Sequence, residues 1–351
     1  MMLEKVDPSV VGVSQERLER ITRWLEQQVG EGKLAGASAL VARRGKIAYL
    51  QCAGFADKED GKVLAPDTIV RIYSMTKPLT TVAAMMLYEE GCFQLDDPVA
   101  KYLPEFGDTP VWRGGDAPIT DVEEQRSPML VKQLMSHTSG LTYHFMHSTP
   151  VDAQYREQAI EFQSHSESLA QVTRRLASIP LLCQPGSQWN YSVATDVLGR
   201  LVEVLSGMSL ADFFRQRIFA PLKMVDTGFS VPEQTRHRFA ALYGPAVGGD
   251  MSSVGGAAAP VPQEERGGLV LQESSTQSDY FEEPMSCSGG GGLVSTIGDY
   301  ARFCQMLINE GELEGERLLA PSTLRYMRTN QLPNNCDMAA MGQPVWSETS
   351  Y

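Results

Sequence analysis

Apolar side chains recur every three or four residues across residues 14–31, an interval that places them on one face of a helix. These positions are Leu18, Ile21, Leu25 and Val29. Ser14 precedes the first turn, where its hydroxyl oxygen can accept a hydrogen bond from a backbone N–H. The pattern predicts an amphipathic helix that buries one face.

A strand-like pattern follows this helix. Residues 38–42 and 47–52 are apolar runs that flank the polar sequence Arg43-Arg44-Gly45-Lys46. A short break containing glycine between two such runs is typical of a β-hairpin. We therefore predict two antiparallel strands joined by a tight turn.

The centre of the chain has helical rather than alternating periodicity. A buried helix is predicted over residues 79–90, ending near Gly91. Further helices are predicted at residues 128–136, 159–179, 193–205, 210–219 (stopped by Pro221) and 297–308. Residues 244–288 are rich in Gly, Ala, Ser and Pro, which predicts a long and partly mobile surface excursion.

Composition excludes several classes of partner. The chain has 351 residues, of which 42% are hydrophobic, as expected of a folded globular protein. Its net charge of −13 repels phosphate backbones and anionic lipids, so neither nucleic acid nor a membrane is an expected partner. No apolar leader or membrane-length apolar stretch is present, and the six cysteines show no C-x-x-C pair. These features predict free thiols and a soluble cytoplasmic protein.

Metal and phosphate sites are not predicted. The five histidines do not form an H-E-x-x-H pair, and we expect no metal and no cofactor. Residues 289–292 are consecutive glycines without a following G-K-[ST], so they are interpreted as a close backbone approach beside a site. His137, in the sequence His137-Thr138-Ser139-Gly140, is interpreted as fixing a turn rather than acting as a base.

The sequence Ser74-Met75-Thr76-Lys77 carries candidate chemistry. Residues three apart share a helix face, so the Lys77 amine can lie beneath the Ser74 hydroxyl and help to remove its proton. The start of a helix also favours a developing negative charge. A capping serine followed by a surface lysine gives the same pattern, so the motif alone leaves both interpretations open.

Tyr191, in Trp189-Asn190-Tyr191-Ser192-Val193, is the next candidate. A buried tyrosine usually serves only packing, whereas a tyrosine beside a lysine ammonium can act as a phenolate base. Tyr143 is a weaker candidate for contact with substrate in the pocket, and packing is again the alternative.

Six segments, taken in order, resemble the serine β-lactamase-related hydrolases. The resemblance is strongest to the family VIII carboxylesterases, which are similar to class C β-lactamases in fold. The segments are Ser74-x-x-Lys77, residues 95–104, residues 134–141, Tyr191-Ser192, residues 218–229 and residues 290–296. The resemblance extends from about residue 14 to the end of the sequence.

The resemblance implies an α/β (α+β) fold in which an antiparallel sheet is flanked by helices and accompanied by a mainly helical part. It implies one catalytic unit over residues 1–351. Residues 1–73 and 289–351 are expected in the sheet part, and residues 74–288 in the helical part.

The same resemblance implies a role for each candidate. Ser74 is the acylated nucleophile, and Lys77 lowers its proton affinity. Tyr191 is the general base, which later protonates the leaving alcohol and, with Lys77, activates water for deacylation. Val193 stands where the family pattern Y-x-N has an asparagine that would bond a substrate amide. An ester needs that bond less, so Val193 is a candidate substrate contact that favours ester cleavage.

The third motif of the resembled family, K-T-G or a substitute such as W-G-G, is not found. Trp346 is not followed by glycine. The resemblance therefore predicts a C-terminally shortened member, or a fragment of a longer product, in which the last strands of the sheet are missing.

The leading hypothesis is a serine carboxylesterase that cleaves small carboxylic esters through an acyl-enzyme on Ser74. An acyltransferase, in which an alcohol replaces water, is one alternative. A β-lactamase or peptidase of the same fold is another. The non-enzyme alternative is a catalytically inactive remnant.

Overall fold

The computed structural model describes residues 3–248, 265 and 267–341. The described helices are α1 (Gln15–Gly30), α2 (Thr76–Glu89), α3 (Val131–Met135), α4 (Pro150–Glu157), α5 (Leu169–Ala177), α6 (Ala194–Ser206), α7 (Leu210–Phe214), α8 (Ala220–Leu222), α9 (Ile297–Ile308), α10 (Pro321–Met327) and α11 (Met338–Met341). The described strands are β1 (Gly36–Arg43), β2 (Lys46–Asp57), β3 (Lys62–Val63), β4 (Val70–Arg71), β5 (Val111–Trp112), β6 (Val122–Glu123), β7 (Leu242–Pro245), β8 (Leu269–Glu273), β9 (Val294–Ser295), β10 (Glu312–Leu313) and β11 (Glu316–Arg317).

The amphipathic helix and the hairpin predicted near the start of the chain are confirmed. Ser14 Oγ accepts a hydrogen bond from the Arg17 amide at 3.3 Å, which caps α1. Arg44 and Gly45 form the turn between β1 and β2, and both have positive φ, as tight hairpin turns require. β2 extends beyond its apolar run because it also pairs with β3 in a three-stranded antiparallel sheet.

Helix α2 runs through the main hydrophobic core. Leu79, Val82, Ala83 and Met85 are each at most 1% exposed, and α6 and α7 pack against the helix. Burial on nearly every side fixes the position of α2. The short 3-10 turn that contains Ser74, Tyr73–Met75, leads directly into it.

The helix predicted over residues 159–179 is wrong in its first half. Ala159 has a left-handed backbone with a φ of 46°, which helical geometry does not allow. Helix α5 begins only after Ser168, whose amide and hydroxyl both donate to Gln171 Oε1 at the first turn. Residues 160–163 are consequently free of the helix and lie in a loop.

The prediction that Pro221 stops the preceding helix is also wrong. Helix α7 continues through a π-helical turn, Arg215–Phe219, into α8, and the left-handed Lys223 ends the run. A π turn is wider than an α turn. The wider turn relieves the clash between the proline ring and the earlier carbonyl that normally breaks a helix.

The described part of the excursion predicted over residues 244–288 is more regular than expected. β8 pairs antiparallel with β7, and Ser164 and Ser286 form an antiparallel bridge. Residues 249–264 and 266 lie outside the described residues, and the predicted mobility stays a prediction.

The α+β architecture implied by the resemblance is confirmed. β4 pairs antiparallel with β9, which brings the segment before Ser74 beside the glycines at residues 289–292. Within the described residues the sheet of β1, β2 and β3 has three strands. The stretch around Trp346, where the third motif was sought, lies outside them.

Membrane spans, metal ligands and disulfides were each considered from the sequence. In the described part of the chain, no helix is both long and apolar enough to cross a bilayer. No group of three His, Cys, Asp or Glu side chains among those residues could hold a metal ion. All six cysteines are free. The cytoplasmic location stays a prediction.

Candidate active site

The structure brings Ser74, Lys77 and Tyr191 together. Lys77 Nζ lies 3.0 Å from Ser74 Oγ and 2.9 Å from Tyr191 Oη. Ser74 Oγ and Tyr191 Oη are also hydrogen-bonded to each other. These three atoms form a closed triangle, hereafter the Ser74–Lys77–Tyr191 triangle, in which the serine proton has a direct route to the tyrosine oxygen.

Lys77 has a third acceptor besides the two hydroxyl oxygens. Its Nζ donates to the Gly290 carbonyl oxygen at 2.7 Å. A lysine ammonium has three N–H donors and no acceptor, so three acceptors match its charged form. In that form Lys77 stabilises negative charge on either oxygen, and Tyr191 is the group placed to accept the Ser74 proton.

The turn that presents Ser74 has unusual backbone geometry. Tyr73 has a φ of 43°, a left-handed conformation that is rare for an aromatic residue. The Met75 amide closes the turn by donating to the Ile72 carbonyl at 3.0 Å. Ser74 is exposed at this turn while Thr76, two residues later, is fully buried. The Ser74 hydroxyl therefore lies outside the core, just before the start of a buried helix.

Tyr191 is held by its neighbour in the chain. The Asn190 amide donates to the His137 carbonyl at 2.8 Å. The Asn190 side chain donates from Nδ2 to the Leu141 carbonyl at 2.6 Å. Because Asn190 is buried, these bonds attach the tyrosine loop firmly to the loop that follows α3.

A cavity of about 730 Å³ opens beside Ser74, a volume typical of small-molecule sites. Its apolar wall includes Tyr73, Tyr143, Phe145, Ile160, Phe162, Leu242 and Tyr280. The rings of Tyr143 and Phe145 stack with centroids 4.6 Å apart. Burial raises the pKa of Tyr143 well above its usual value, so its phenol stays neutral. Its contact with substrate stays a prediction.

Val193 lies in the wall of the same cavity and is 2% exposed. It is the residue that caps α6, and its amide donates to the Thr142 carbonyl at 3.2 Å. The side chain at this position offers methyl groups and no hydrogen-bonding atom. Its role in substrate choice stays a prediction.

The close backbone approach predicted at residues 289–292 is confirmed. A Cβ on Gly290 would lie 2.4 Å from Asp196 Oδ2, and one on Gly292 would lie 2.4 Å from Gln163 Oε1. A Cβ at either position would force the Asp196 or the Gln163 side chain to move. Glycine therefore allows both side chains to lie against the backbone of this segment.

Two kinds of site residue were not predicted from the sequence. Asp196, 2% exposed in the first turn of α6, accepts a hydrogen bond from the Gly290 amide at 2.9 Å. An acid within an otherwise apolar helical stripe was the available signal. Leu242 and Tyr280 reach the cavity from distant segments, and no local pattern marks them.

A family model described as Beta-lactamase matches residues 21–343, which is most of the sequence. The chain belongs to the β-lactamase family.

Three relatives illustrate the range of this family. Protein Rv1367c of Mycobacterium tuberculosis (strain ATCC 25618 / H37Rv) is 34% identical over 317 residues, which are 90% of this chain and 73% of that protein. Esterase EstB of Burkholderia gladioli is 33% identical over 310 residues, which are 88% of this chain and 74% of that protein. The solved structure of EstCE1, described as a hydrolase with promiscuous acyltransferase activity, matches with a TM-score of 0.68 and 29% identity over 88% of this chain and 76% of that one.

In this β-lactamase-family chain, His137 lies behind Tyr191. Its Nδ1 is 3.1 Å from Ser192 Oγ, and its ring packs against Tyr191 with centroids 5.1 Å apart. Burial, with a further contribution from the Lys77 ammonium, lowers the pKa of His137 from 6.5 to about 3. A neutral imidazole at a left-handed position, with a φ of 55°, fits the interpretation that His137 fixes a turn.

The depressed pKa of His137 gives a prediction for the pH dependence of stability. The unfolded chain binds a proton at His137 near pH 6.5, and the folded chain does so only near about pH 3. The contribution of the neutral His137 to the free energy of unfolding is therefore fully present above pH 6.5 and is lost as pH falls towards 3. Over this range the free energy of unfolding changes by at most about 1.4 kcal/mol per pH unit because of His137. His137→Asn should remove this part of the slope, which urea unfolding at a series of pH values measures.

The exposed His165 provides the matched control for this measurement. His165→Asn measures the effect of removing an exposed histidine, and the pH dependence lost in His137→Asn is compared with it. The prediction is contradicted if the free energy of unfolding differs between the wild type and His137→Asn by the same amount at every pH.

Proposed function

We propose that this chain is a serine carboxylesterase that cleaves small carboxylic esters through an acyl-enzyme on Ser74. The observation that carries the proposal is the contact of Ser74 Oγ with Lys77 Nζ, at 3.0 Å, and with Tyr191 Oη. It gives one exposed hydroxyl both a proton acceptor and an adjacent cation, as an activated nucleophile requires.

In acylation, Tyr191, as the phenolate, takes the proton of Ser74 while Ser74 Oγ forms a bond to the ester carbonyl carbon. The Lys77 ammonium stabilises negative charge on the tyrosine and serine oxygens during this transfer. The carbonyl oxygen becomes negative near the start of α2, where the helix dipole favours an anion. Tyr191 then gives its proton to the alcohol oxygen as the carbon–oxygen bond to the alcohol breaks.

In deacylation, water takes the place of the departed alcohol. It gives a proton to Tyr191 while its oxygen forms a bond to the acyl carbon. The bond from that carbon to Ser74 Oγ breaks, and Tyr191 returns the proton to Ser74. A carboxylic acid leaves, and the Ser74–Lys77–Tyr191 triangle is restored.

The cavity supports an ester rather than an amide or β-lactam as substrate. Val193 offers no hydrogen bond to a substrate amide, and most of the surrounding side chains are aromatic or aliphatic. The relative EstB carries the name of an esterase, which is consistent with this choice.

Acyl transfer to an alcohol is the second candidate, because EstCE1 is described as a hydrolase with acyltransferase activity. The acyl-enzyme is the same in both reactions, and only the acceptor differs. Adding an alcohol and measuring the new ester by chromatography separates them: a transferase forms ester faster than free acid.

We expect p-nitrophenyl butyrate to be cleaved with a kcat/KM at least about tenfold above that of a chromogenic cephalosporin, since an unmade hydrogen bond costs roughly 1–3 kcal/mol. Mass spectrometry after incubation with a fluorophosphonate should place the adduct on Ser74. Val193→Asn should raise the cephalosporin rate, and Val193→Ala, which changes size without adding an amide, should not. A cephalosporin rate equal to the best ester rate would contradict the proposal.

A further inference from the structure

We infer that Asp196 is a positioning residue of this site, which holds the Gly290 carbonyl oxygen against Lys77 Nζ. The inference rests on the proposed function for its kinetic test. It assigns a role to a buried acid that the reaction steps above do not use.

Asp196 and Lys77 both form hydrogen bonds with the backbone of Gly290, one with its amide and the other with its carbonyl. Asp196 Oδ1 accepts hydrogen bonds from the Gly290 amide at 2.9 Å and from Ser288 Oγ at 2.5 Å. The carbonyl of the same Gly290 accepts from Lys77 Nζ at 2.7 Å. Since the amide and carbonyl of Gly290 share one Cα, fixing the amide restricts the direction of the carbonyl.

The rest of the glycine segment is fastened to α2. Thr80 Oγ1 donates to the Gly289 carbonyl at 2.7 Å, and the Leu293 amide donates to Thr76 Oγ1 at 3.2 Å. Both bonds lie on the helix that also carries Lys77. Asp196 supplies the corresponding attachment on α6, so the segment is held between the two helices.

The side chain of Asp196 is suited to this task. It is 2% exposed, so water competes little for its oxygens. Burial raises its pKa, while the Ser288 hydroxyl, the Lys77 ammonium and the Gly290 amide offset part of that effect. Both described hydrogen bonds reach the same oxygen, Oδ1. An asparagine can present the same oxygen without the charge.

Loss of this oxygen frees the Gly290 amide and lets its carbonyl turn away from Lys77. Lys77 then keeps two of its three acceptors, and its Nζ shifts relative to Ser74 and Tyr191. A misplacement of about 1 Å among reacting groups can cost about 10²-fold in rate.

The test compares Asp196→Ala with Asp196→Asn on p-nitrophenyl butyrate. We expect Asp196→Ala to lower kcat by about 10²-fold with little change in KM, since the aromatic and aliphatic side chains of the cavity wall are unchanged. Asp196→Asn should recover most of that loss because its Oδ1 still accepts both bonds. A crystal structure of Asp196→Ala should show the Gly290 carbonyl beyond hydrogen-bond distance of Lys77 Nζ, a readout that does not depend on turnover.

Asp299 is the matched control. It is likewise the third residue of a helix, α9, is 4% exposed, and accepts a hydrogen bond from the Asp226 amide at 2.7 Å. Asp299→Ala should lower the melting temperature while the folded protein keeps the wild-type kcat. If removal of any buried acid slowed the reaction, Asp299→Ala and Asp196→Ala would lose kcat to the same extent.

If Asp196→Ala does not fold, Gly290→Ala tests the same contact from the other side. Its Cβ would meet Asp196 Oδ2 at 2.4 Å, whereas a Cβ on Gly291 meets its nearest atom at 3.9 Å. Gly290→Ala should be slower than Gly291→Ala by at least about tenfold.

The inference is overturned if Asp196→Ala retains the wild-type kcat, if Asp196→Asn is as slow as Asp196→Ala, or if the Gly290–Lys77 bond persists in the Asp196→Ala crystal structure. A wild-type chain that neither turns over esters nor reacts with a fluorophosphonate at Ser74 would instead contradict the proposed function. The crystal structure of Asp196→Ala still decides the positioning role in that case.

Discussion

A Ser74→Ala variant is expected to hydrolyse p-nitrophenyl butyrate at least about 10⁴-fold more slowly than the wild-type chain, which is the scale of loss when a catalytic serine is removed. Ser74 Oγ is the hydroxyl oxygen that the proposed reaction acylates, and it contacts both Lys77 and Tyr191. The acyl-enzyme therefore cannot form. Initial rates give the loss in activity, and intact mass after fluorophosphonate treatment should show no adduct.

Ser209→Ala is the control for this variant. Ser209 caps α7 through its side chain, which accepts from the Asp212 amide at 3.1 Å, and it does not line the cavity. Its replacement should cost about 1 kcal/mol of stability and leave labelling intact. Equal labelling of Ser74→Ala and the wild type would show that another residue is the nucleophile.

Lys77→Ala and Tyr191→Phe are each expected to lower kcat/KM by about 10³-fold, within the usual contribution of a positioned proton-transfer group. The double variant should be no slower than either single one. The two groups share one proton path, because Lys77 Nζ lies 2.9 Å from Tyr191 Oη and both contact Ser74 Oγ. Once either Lys77 or the Tyr191 hydroxyl is removed, this proton transfer is already lost, and removal of the second group costs no further rate.

The pair Lys77→Ala and Tyr280→Phe serves as the control for this cycle. Tyr280 lines the same cavity, but its ring packs against Phe239 and the Arg71 guanidinium rather than against Lys77, so its effect should add to that of Lys77→Ala in free energy. Multiplicative losses for Lys77 and Tyr191 would show that they act independently, and the shared proton path would be wrong.

Elements set by local signals could be predicted from the sequence. Helix α1 follows from its apolar spacing and from Ser14, and the hairpin follows from a glycine turn between two apolar runs. The segment over residues 159–179 failed because apolar periodicity continues through Ala159, whose left-handed backbone is set by its surroundings. Periodicity shows which face is apolar, and it does not show where the backbone leaves the helix.

The candidate site divides in the same way. Ser74, Lys77 and Tyr191 could be found because each lies in a short motif whose order resembles a known family. The buried acid Asp196 is visible in the sequence, but the role proposed for it could not be predicted, because it depends on a glycine 94 residues away in sequence. That contact exists only because α2 packs on α6 and β4 pairs with β9.

Part of the cavity wall is formed by residues in turns and loops, and this affects which substitutions the protein can accept. The Ser74–Lys77–Tyr191 triangle lies on the turn that leads into α2, on the buried helix α2 itself and on a loop attached through Asn190. Phe145 and Tyr280 lie in other short 3-10 turns, which carry none of these three residues. Exchange of such wall residues can alter which acyl or alcohol group is accepted while the chemistry is retained. Selection for new substrates, natural or in the laboratory, therefore has a set of positions where diversity is tolerated.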